Sequence, residues 1–271
     1  MKPLLAVEAI TFDFGNTLVQ VDRAGLRRVV EVTAGRVAER SGIRDVAGFL
    51  LAWAEERERQ FRVEVPRLRE VDLAQRVVRV LARMRGMEPP AEDDGWDDAA
   101  AVRLTEPDEV GAAVEAYSGA FVASMPSVAG ATEALGALAG RGFRLAIVSN
   151  WPLATTVDRY VEVQGWSRLF EAIVVSQRVG VIKPHPAIFA RAVAALGTPA
   201  ERILHVGDDW IADIVGARAA GWHAAYFQGR QAESPLPSSV PDAQFEPDFV
   251  IDDLAEVSAR VTRWPTAVAT G

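Results

Sequence analysis

Four runs place polar residues directly after apolar ones: Asp13-Phe14-Gly15-Asn16-Thr17, Ser149-Asn150, Lys183-Pro184 and Gly207-Asp208-Asp209, with Asp213 beyond the last. Together they offer carboxylates, hydroxyls, amides and one lysine. Carboxylates held close together repel unless a cation joins them. Mg²⁺ suits such a set, because it takes one or two protein carboxylates and completes its octahedron with water and phosphate oxygens. A lysine meets phosphate as a point charge. Thr17, Ser149 and nearby backbone N–H groups, aided by helix N-termini, are candidates for phosphate oxygens. Asp13 is a candidate nucleophile on phosphorus, a role carboxylates fill through an aspartyl-phosphate.

The elements that must position these residues have a regular rhythm. Arg144 to Val148, Ala172 to Val175, Ile203 to Val206, Ala224 to Phe227 and Phe249 to Ile251 are short apolar runs that read as buried strands. Residues 7–13 supply one more. Helical patterns lie between them. One has Pro152 in its first turn and ends at Gly165, Ala187 to Leu196 stops at Gly197, and Ile211 to Ala220 stops at Gly221. Alternation of this kind implies an α/β fold, a Rossmann-like parallel sheet with right-handed crossovers. Ligands of such sheets bind beyond the carboxyl ends of the strands, where the four polar runs fall.

Residues 22–124 break the rhythm with long helical patterns, among them Leu26 to Val37 and Leu73 to Met84, and Asp72 with Gln75 resembles a capping box. The expected organisation is a core of 1–21 plus 125–271 and a helical insertion over 22–124. Residues 91–98 read as a solvated acidic loop. Residues 255–271 have weak patterning and are expected to be partly disordered.

The chain has 271 residues, 49% hydrophobic and 24% charged, which excludes disorder or a fibrous repeat for most of it. Its net charge of −8 argues against a nucleic-acid or acidic-membrane surface. The absence of cysteine excludes disulfides, thiolate catalysis and cysteine-ligated metals. No apolar run approaches the roughly 20 residues of a membrane span. Met1 to Ile10 carries Glu8 and lacks a small-residue cleavage site, so a cytoplasmic protein is expected.

The four runs, in this order, resemble the motifs of the haloacid dehalogenase-like hydrolase superfamily. Ile10-Thr-Phe-Asp-Phe-Gly-Asn-Thr-Leu18 looks like its first motif and Ile147-Val-Ser-Asn150 its second. Gly180-Val-Ile-Lys-Pro184 resembles its third, and His205-Val-Gly-Asp-Asp209 with Asp213 its fourth. The resemblance covers the α/β part, and 22–124 sits where the family's helical cap of the first type belongs. It implies Mg²⁺-dependent hydrolysis of a small phosphorylated metabolite, by a monomer or homodimer. Asp13 would be nucleophile and metal ligand, Asp208 the second carboxylate on Mg²⁺, and the backbone carbonyl of Gly15 a further ligand. Ser149, Lys183, Thr17 and Asn150 would meet the phosphoryl group, and Asp213 or Asp209 would orient the lysine or a metal-bound water.

One position departs from the family's phosphatases. They carry a second aspartate, the general acid and base, where this chain has Gly15. Such help is typically about 10²–10⁴-fold in rate. Two further readings follow: a weak or inactive phosphate-binding or regulatory protein, and a metal-independent haloacid dehalogenase, a branch that also lacks that aspartate. Phosphonate cleavage would call for a lysine in the cap, and 22–124 has none.

Other residues invite plainer readings. His205 is read as a strand residue of the core and His185 as a loop cap; with His223 they make no zinc pattern. Trp151 and Trp210 are candidates for an apolar floor. Arg57, Arg59, Arg62, Arg67 and Arg69 alternate with glutamates as a solvated helix face would. The loop from Arg62 to Glu70, interrupted by Pro66, is the candidate for facing the site and selecting substrate.

Overall fold

A computed structural model describes residues 4–93, 95–229, 234–239, 241 and 245–265. The chain begins with β1 (Leu5–Val7) and β2 (Ala9–Phe12). Five helices follow: α1 (Arg23–Ser41), α2 (Val46–Val63), α3 (Leu73–Met84), α4 (Asp98–Arg103) and α5 (Pro107–Ser124). Then come α6 (Ala131–Gly140), β3 (Arg144–Ser149), α7 (Ala154–Val163), β4 (Phe170–Val175), α8 (Ser176–Val179) and α9 (Pro186–Leu196). The chain continues with β5 (Ile203–Gly207), a wide turn over Trp210–Val215, α10 (Gly216–Ala219), β6 (His223–Phe227), β7 (Phe249–Ile251), α11 (Glu256–Arg260) and β8 (Val261–Arg263).

Six strands make one parallel sheet in the order β4-β3-β2-β5-β6-β7. The chain runs outward from β2 to one side and returns to β5 on the other. The carboxyl end of β2 is therefore the topological switch point, where a crevice opens. Asp13 follows β2 at that point. Successive residues of a strand face opposite sides. Leu145 and Ile147 of β3 join the apolar cluster beneath the helical segment. Ala146 and Val148 join a second cluster with Ile188, Phe189 and Trp222 on the other face.

The helical segment is delimited by aspartates. Asp22, Asp45, Asp72 and Asp97 each accept a hydrogen bond from the backbone N–H three residues on, at 2.7–2.8 Å. That is the N-cap arrangement, worth about 1 kcal/mol each. The helices attach to the sheet through aromatic rings. Phe14, just after β2, meets Trp151 at 5.2 Å, Tyr160 of α7 at 5.4 Å and Phe121 of α5 at 6.2 Å. Such pairs add about 0.5–1.5 kcal/mol each beyond burial.

Several expectations are corrected. The single first strand is two, in different sheets: β1 pairs with β8, and Glu8 breaks the run where its N–H bonds Arg202 O at 2.8 Å. Pro152 stands ahead of its helix, which begins at Ala154, and its carbonyl accepts the N–H of Leu73 instead. The helix expected from Ile211 starts as a wide, π-type turn. Asp72 caps α3, but the Gln75 amide donates to Asp98 rather than closing the box. Of the weakly patterned 255–271, residues 256–263 form a helix and a strand; 266–271 lie outside the described residues. The acidic loop is tied down among the described residues: Asp93 takes a two-point contact from Arg62 and Asp98 one from Arg79. No described helix is long and apolar enough to cross a membrane.

Candidate active site

Asp13, Lys183, Asp208 and Asp213 meet beyond the carboxyl ends of β2, β3 and β5. Lys183 is the centre. Its Nζ donates to Asp13 Oδ1 at 2.8 Å, to Asp213 Oδ1 at 2.6 Å and to the carbonyl of Val148 at 2.7 Å. All three ammonium protons thus have acceptors. Arginine fills nearly every other cationic position of the chain. A compact ammonium with three rotatable donors fits here, where a planar fork would not.

Asn150 fixes the Lys183 backbone. Its Oδ1 accepts the Lys183 N–H at 2.6 Å and its Nδ2 donates to the Lys183 carbonyl at 3.0 Å. Asp208 is held from the other side, by Asn16 Nδ2 at 3.2 Å and the Thr17 hydroxyl at 3.3 Å. Thr17 is fully buried. Of the sequence candidates for phosphate, then, the Thr17 hydroxyl meets Asp208 and the Asn150 amide meets the lysine backbone. The Ser149 hydroxyl, fully buried at the end of β3, has no hydrogen-bond partner among the described residues.

Asp213 is bound on all sides. Its Oδ1 also takes His205 Nε2 at 3.1 Å, and its Oδ2 takes the Asp209 N–H at 2.9 Å. A Cβ at Gly207 would stand 2.2 Å from Asp213 Oδ2, so only glycine lets this carboxylate approach the end of β5. Of the two aspartates proposed to orient the lysine, Asp213 makes the contact. Asp209 caps the next turn through Ala212 N–H and holds Ser239 through its hydroxyl and N–H.

The charges set the protonation states. Burial pushes the Asp13 carboxyl up to about 6, with Lys183 opposing a larger rise. Burial acts on Asp213 the same way, but Lys183 and the His205 hydrogen bond outweigh it and hold it well below the usual carboxylate range. Lys183 is raised: its two carboxylates overcome the burial that would lower it. His205 is lowered by burial and by the lysine charge. A neutral imidazole has one N–H, and a carboxylate only accepts. Nε2 therefore carries the proton toward Asp213, and Nδ1 takes the Thr11 hydroxyl, 2.8 Å away.

Oxygens of Asp13, Asp208 and Asp213 lie within 4.8 Å of one another and share one ammonium. Three carboxylates around one monocation, all buried, leave negative charge that a hard divalent cation would balance. The donor set is all oxygen, with no cysteine in the chain, and it fits Mg²⁺.

A chamber of about 340 Å³ lies over these residues. Asp13, Asn16, Trp151, Lys183 and Asp208 form its sheet side. Arg57, Phe61, Glu70, Arg76 and Tyr117 form its helical side, and Leu236 closes one edge. Of the loop expected to face the site, Val65 and Glu70 do so, while Arg62 turns to Asp93. Arg59 is buried and donates to the carbonyls of Pro90, Glu92 and Asp93, so it is not a solvated residue. Trp151 lies on the chamber as expected. Trp210 packs instead on Tyr226, 5.3 Å away, across the sheet. His185 caps α9 through the N–H of Ala187. Sequence reasoning missed Arg76 and Tyr117. The signal for Arg76 was present: with Leu73, Val77 and Val80 it occupies the apolar stripe of α3.

Gly15 has a neighbour that the sequence did not show. A Cβ there would meet Leu236 Cδ1 at 2.7 Å and Trp151 Cζ3 at 3.0 Å. Side chains from elsewhere fill the space beside Gly15.

The chain matches the model of the haloacid dehalogenase-like hydrolase family over residues 7–221. It is similar to a glyceraldehyde 3-phosphate phosphatase of Pyrococcus abyssi, with 33% identity over 122 residues, 45% of this chain and 51% of that one. A ribulose-1,5-bisphosphate 5-phosphatase of Halopiger xanaduensis is 32% identical over 151 residues, 55% and 62% of the two chains. The chain thus spans half to under two thirds of these relatives. Among solved structures, a 2-haloacid dehalogenase of Pseudomonas syringae pv. tomato superposes with a TM-score of 0.62 at 22% identity, covering 94% of this chain and 99% of that one.

Proposed function

The chain belongs to the haloacid dehalogenase-like hydrolase family, and on that premise we propose that it is a Mg²⁺-dependent phosphatase of small phosphorylated metabolites. The observation that carries this reading is Lys183, held between Asp13 and Asp213 with Asp208 opposite. An ammonium that already touches the nucleophile is placed to meet the phosphoryl oxygens arriving there. Similarity to two phosphatases supports the same class.

Asp13, Asp208 and the Gly15 carbonyl would hold the cation. When bound, Mg²⁺ supplies charge neutralisation and orientation for the phosphoryl group. The chain's own residues do the rest. An Asp13 oxygen attacks phosphorus while the bond to the substrate oxygen breaks, and that oxygen leaves with the electron pair. Its proton comes from water, since residue 15 offers none. Water then attacks phosphorus, the bond to Asp13 breaks, and phosphate leaves with the carboxylate restored. Lys183 faces the charge in both steps, with Asp213 and neutral His205 holding it in place. The unpartnered Ser149 hydroxyl is the candidate donor to a phosphoryl oxygen. The helical segment acts as a cap that keeps bulk water out. No nucleic-acid or membrane partner is proposed, and the protein acts as a monomer or homodimer in the cytoplasm.

A second reading, phosphate binding without turnover, draws on the filled space at Gly15. Both are tested by phosphate release from a panel of phosphomonoesters with Mg²⁺ or with chelator, beside Asp13→Asn. The phosphatase reading expects release that needs metal and Asp13. Binding of Mg²⁺ and phosphate with no release above the Asp13→Asn blank would favour the second. Halide release from 2-haloacids without metal would contradict both.

A further inference from the structure

Arg57, half-buried, and Arg76, buried, face the chamber without a carboxylate partner, whereas the buried Arg59 spends its donors on three backbone carbonyls away from it. Arg79 pairs with Glu56 and Asp98, and Lys183 with two aspartates. Arg76 is 3% exposed, yet among the described residues it makes no ion pair. Its Nε donates to Gln60 Oε1 at 2.7 Å, and its guanidinium lies over the Trp53 ring at 5.4 Å. Arg57 stacks on Phe61 at 4.6 Å and donates to the carbonyl of Pro235 at 3.2 Å, again with no ion pair. Both line the chamber, with Tyr117 beside them.

Two cations on one apolar wall repel each other and lose hydration, a cost ordinarily offset by an anion. Glu70 is the acidic side chain that the helical segment brings to this chamber among the described residues. It takes the N–H of Val71, it pairs with neither arginine, and burial raises its pKa. Burial also pushes Arg76 down to about 10, and the neighbouring Arg57 charge adds to the fall while Tyr117, Glu56 and Glu70 oppose it without contact. The chamber thus has two different ends, Lys183 among its carboxylates on the sheet side and the arginine pair on the helical side.

We infer that the substrate carries a second anionic group, a carboxylate or a second phosphate on a short carbon chain, and that Arg57 and Arg76 bind it while the first phosphate sits at Asp13. This rests on the phosphatase reading for which end reacts. It rests on the arginines alone for the demand for two anions.

Binding is measured by calorimetry on Asp13→Asn with Mg²⁺, comparing 3-phosphoglycerate with glycerol 3-phosphate and ribulose 1,5-bisphosphate with ribulose 5-phosphate. The member with two anionic groups should, in at least one pair, bind about 10–100-fold tighter, the range of a charge-assisted hydrogen bond. The pair that discriminates identifies carboxylate or phosphate. Arg76→Gln and Arg57→Gln in that background should each reduce the preference at least about fivefold, with Arg76→Lys retaining more than Arg76→Gln. If one variant does not fold, the unsubstituted arginine ratio and the other variant still decide. Ratios near one for both pairs overturn the inference, whatever the wild type hydrolyses. A strong ratio with no turnover by the wild type overturns the phosphatase reading and leaves this one standing.

Discussion

On the sheet side of the chamber, Lys183 has three acceptors, Asp213 accepts from three groups, and Asn16 and Thr17 hold Asp208. On the helical side, a few side chains away, Arg57 and Arg76 have no carboxylate partner among the described residues. The two sides differ in what stabilises them. The sheet side is a closed electrostatic network set at strand ends, with Gly207 leaving room for a carboxylate. The helical side is an apolar wall of Phe61, Val65 and Val71 that carries cations within it, with Trp53 behind Arg76. A network that satisfies itself holds its geometry before any ligand arrives, which is what reacting groups need. A wall with unmatched charge is suited to selecting a ligand.

The largest way to break this contrast is Asp13→Asn. Phosphate release should fall on the order of 10³-fold or more, with circular dichroism unchanged; activity within about tenfold of wild type would remove Asp13 from the chemistry. Next in size is charge removal on each side. Lys183→Met leaves two buried carboxylates without their ammonium and should cost about 3–5 kcal/mol in urea unfolding. Arg76→Met strands no charge, only the neutral Gln60 Oε1, and should cost less, about 1–3 kcal/mol. Equal losses would erase the difference between the sides. Gly15→Ala should cost about 1–3 kcal/mol by overpacking against Leu236 and Trp151, and Leu236→Ala should return part of it; a neutral Gly15→Ala would show that the space is open. The smallest effect sharpens Thr17. Thr17→Val should raise the Mg²⁺ concentration for half-maximal activity about tenfold, because Thr17 acts through Asp208. A raised KM for substrate with an unchanged metal response would instead place Thr17 on phosphate.

The sheet side was legible in the sequence for a physical reason. Strands buried on both faces read as continuous apolar runs, and the residues that follow them sit at the rim by topology. Asp13, Ser149, Lys183, Asp208 and Asp213 could each be found from their own neighbours. The break at Glu8 was not legible, since one polar residue inside an apolar run leaves the pattern intact. β8 was missed because Val261–Arg263 offers a single apolar residue to read. The helical side depends on which faces of α2, α3 and α5 turn inward, which only packing decides. Arg76 came nearest to being readable, as a cation in an apolar stripe. Leu236 beside Gly15 could not be read at all, because the two lie far apart in sequence and no local pattern links them.

The most direct test of the account is an acid quench of the enzyme turning over a phosphomonoester with Mg²⁺, followed by peptide mapping. The account predicts phosphate on the peptide that carries Asp13, absent from Asp13→Asn and absent without metal. Phosphate released at an undiminished rate with none ever found on Asp13, even in quenches within the first turnover, would contradict it.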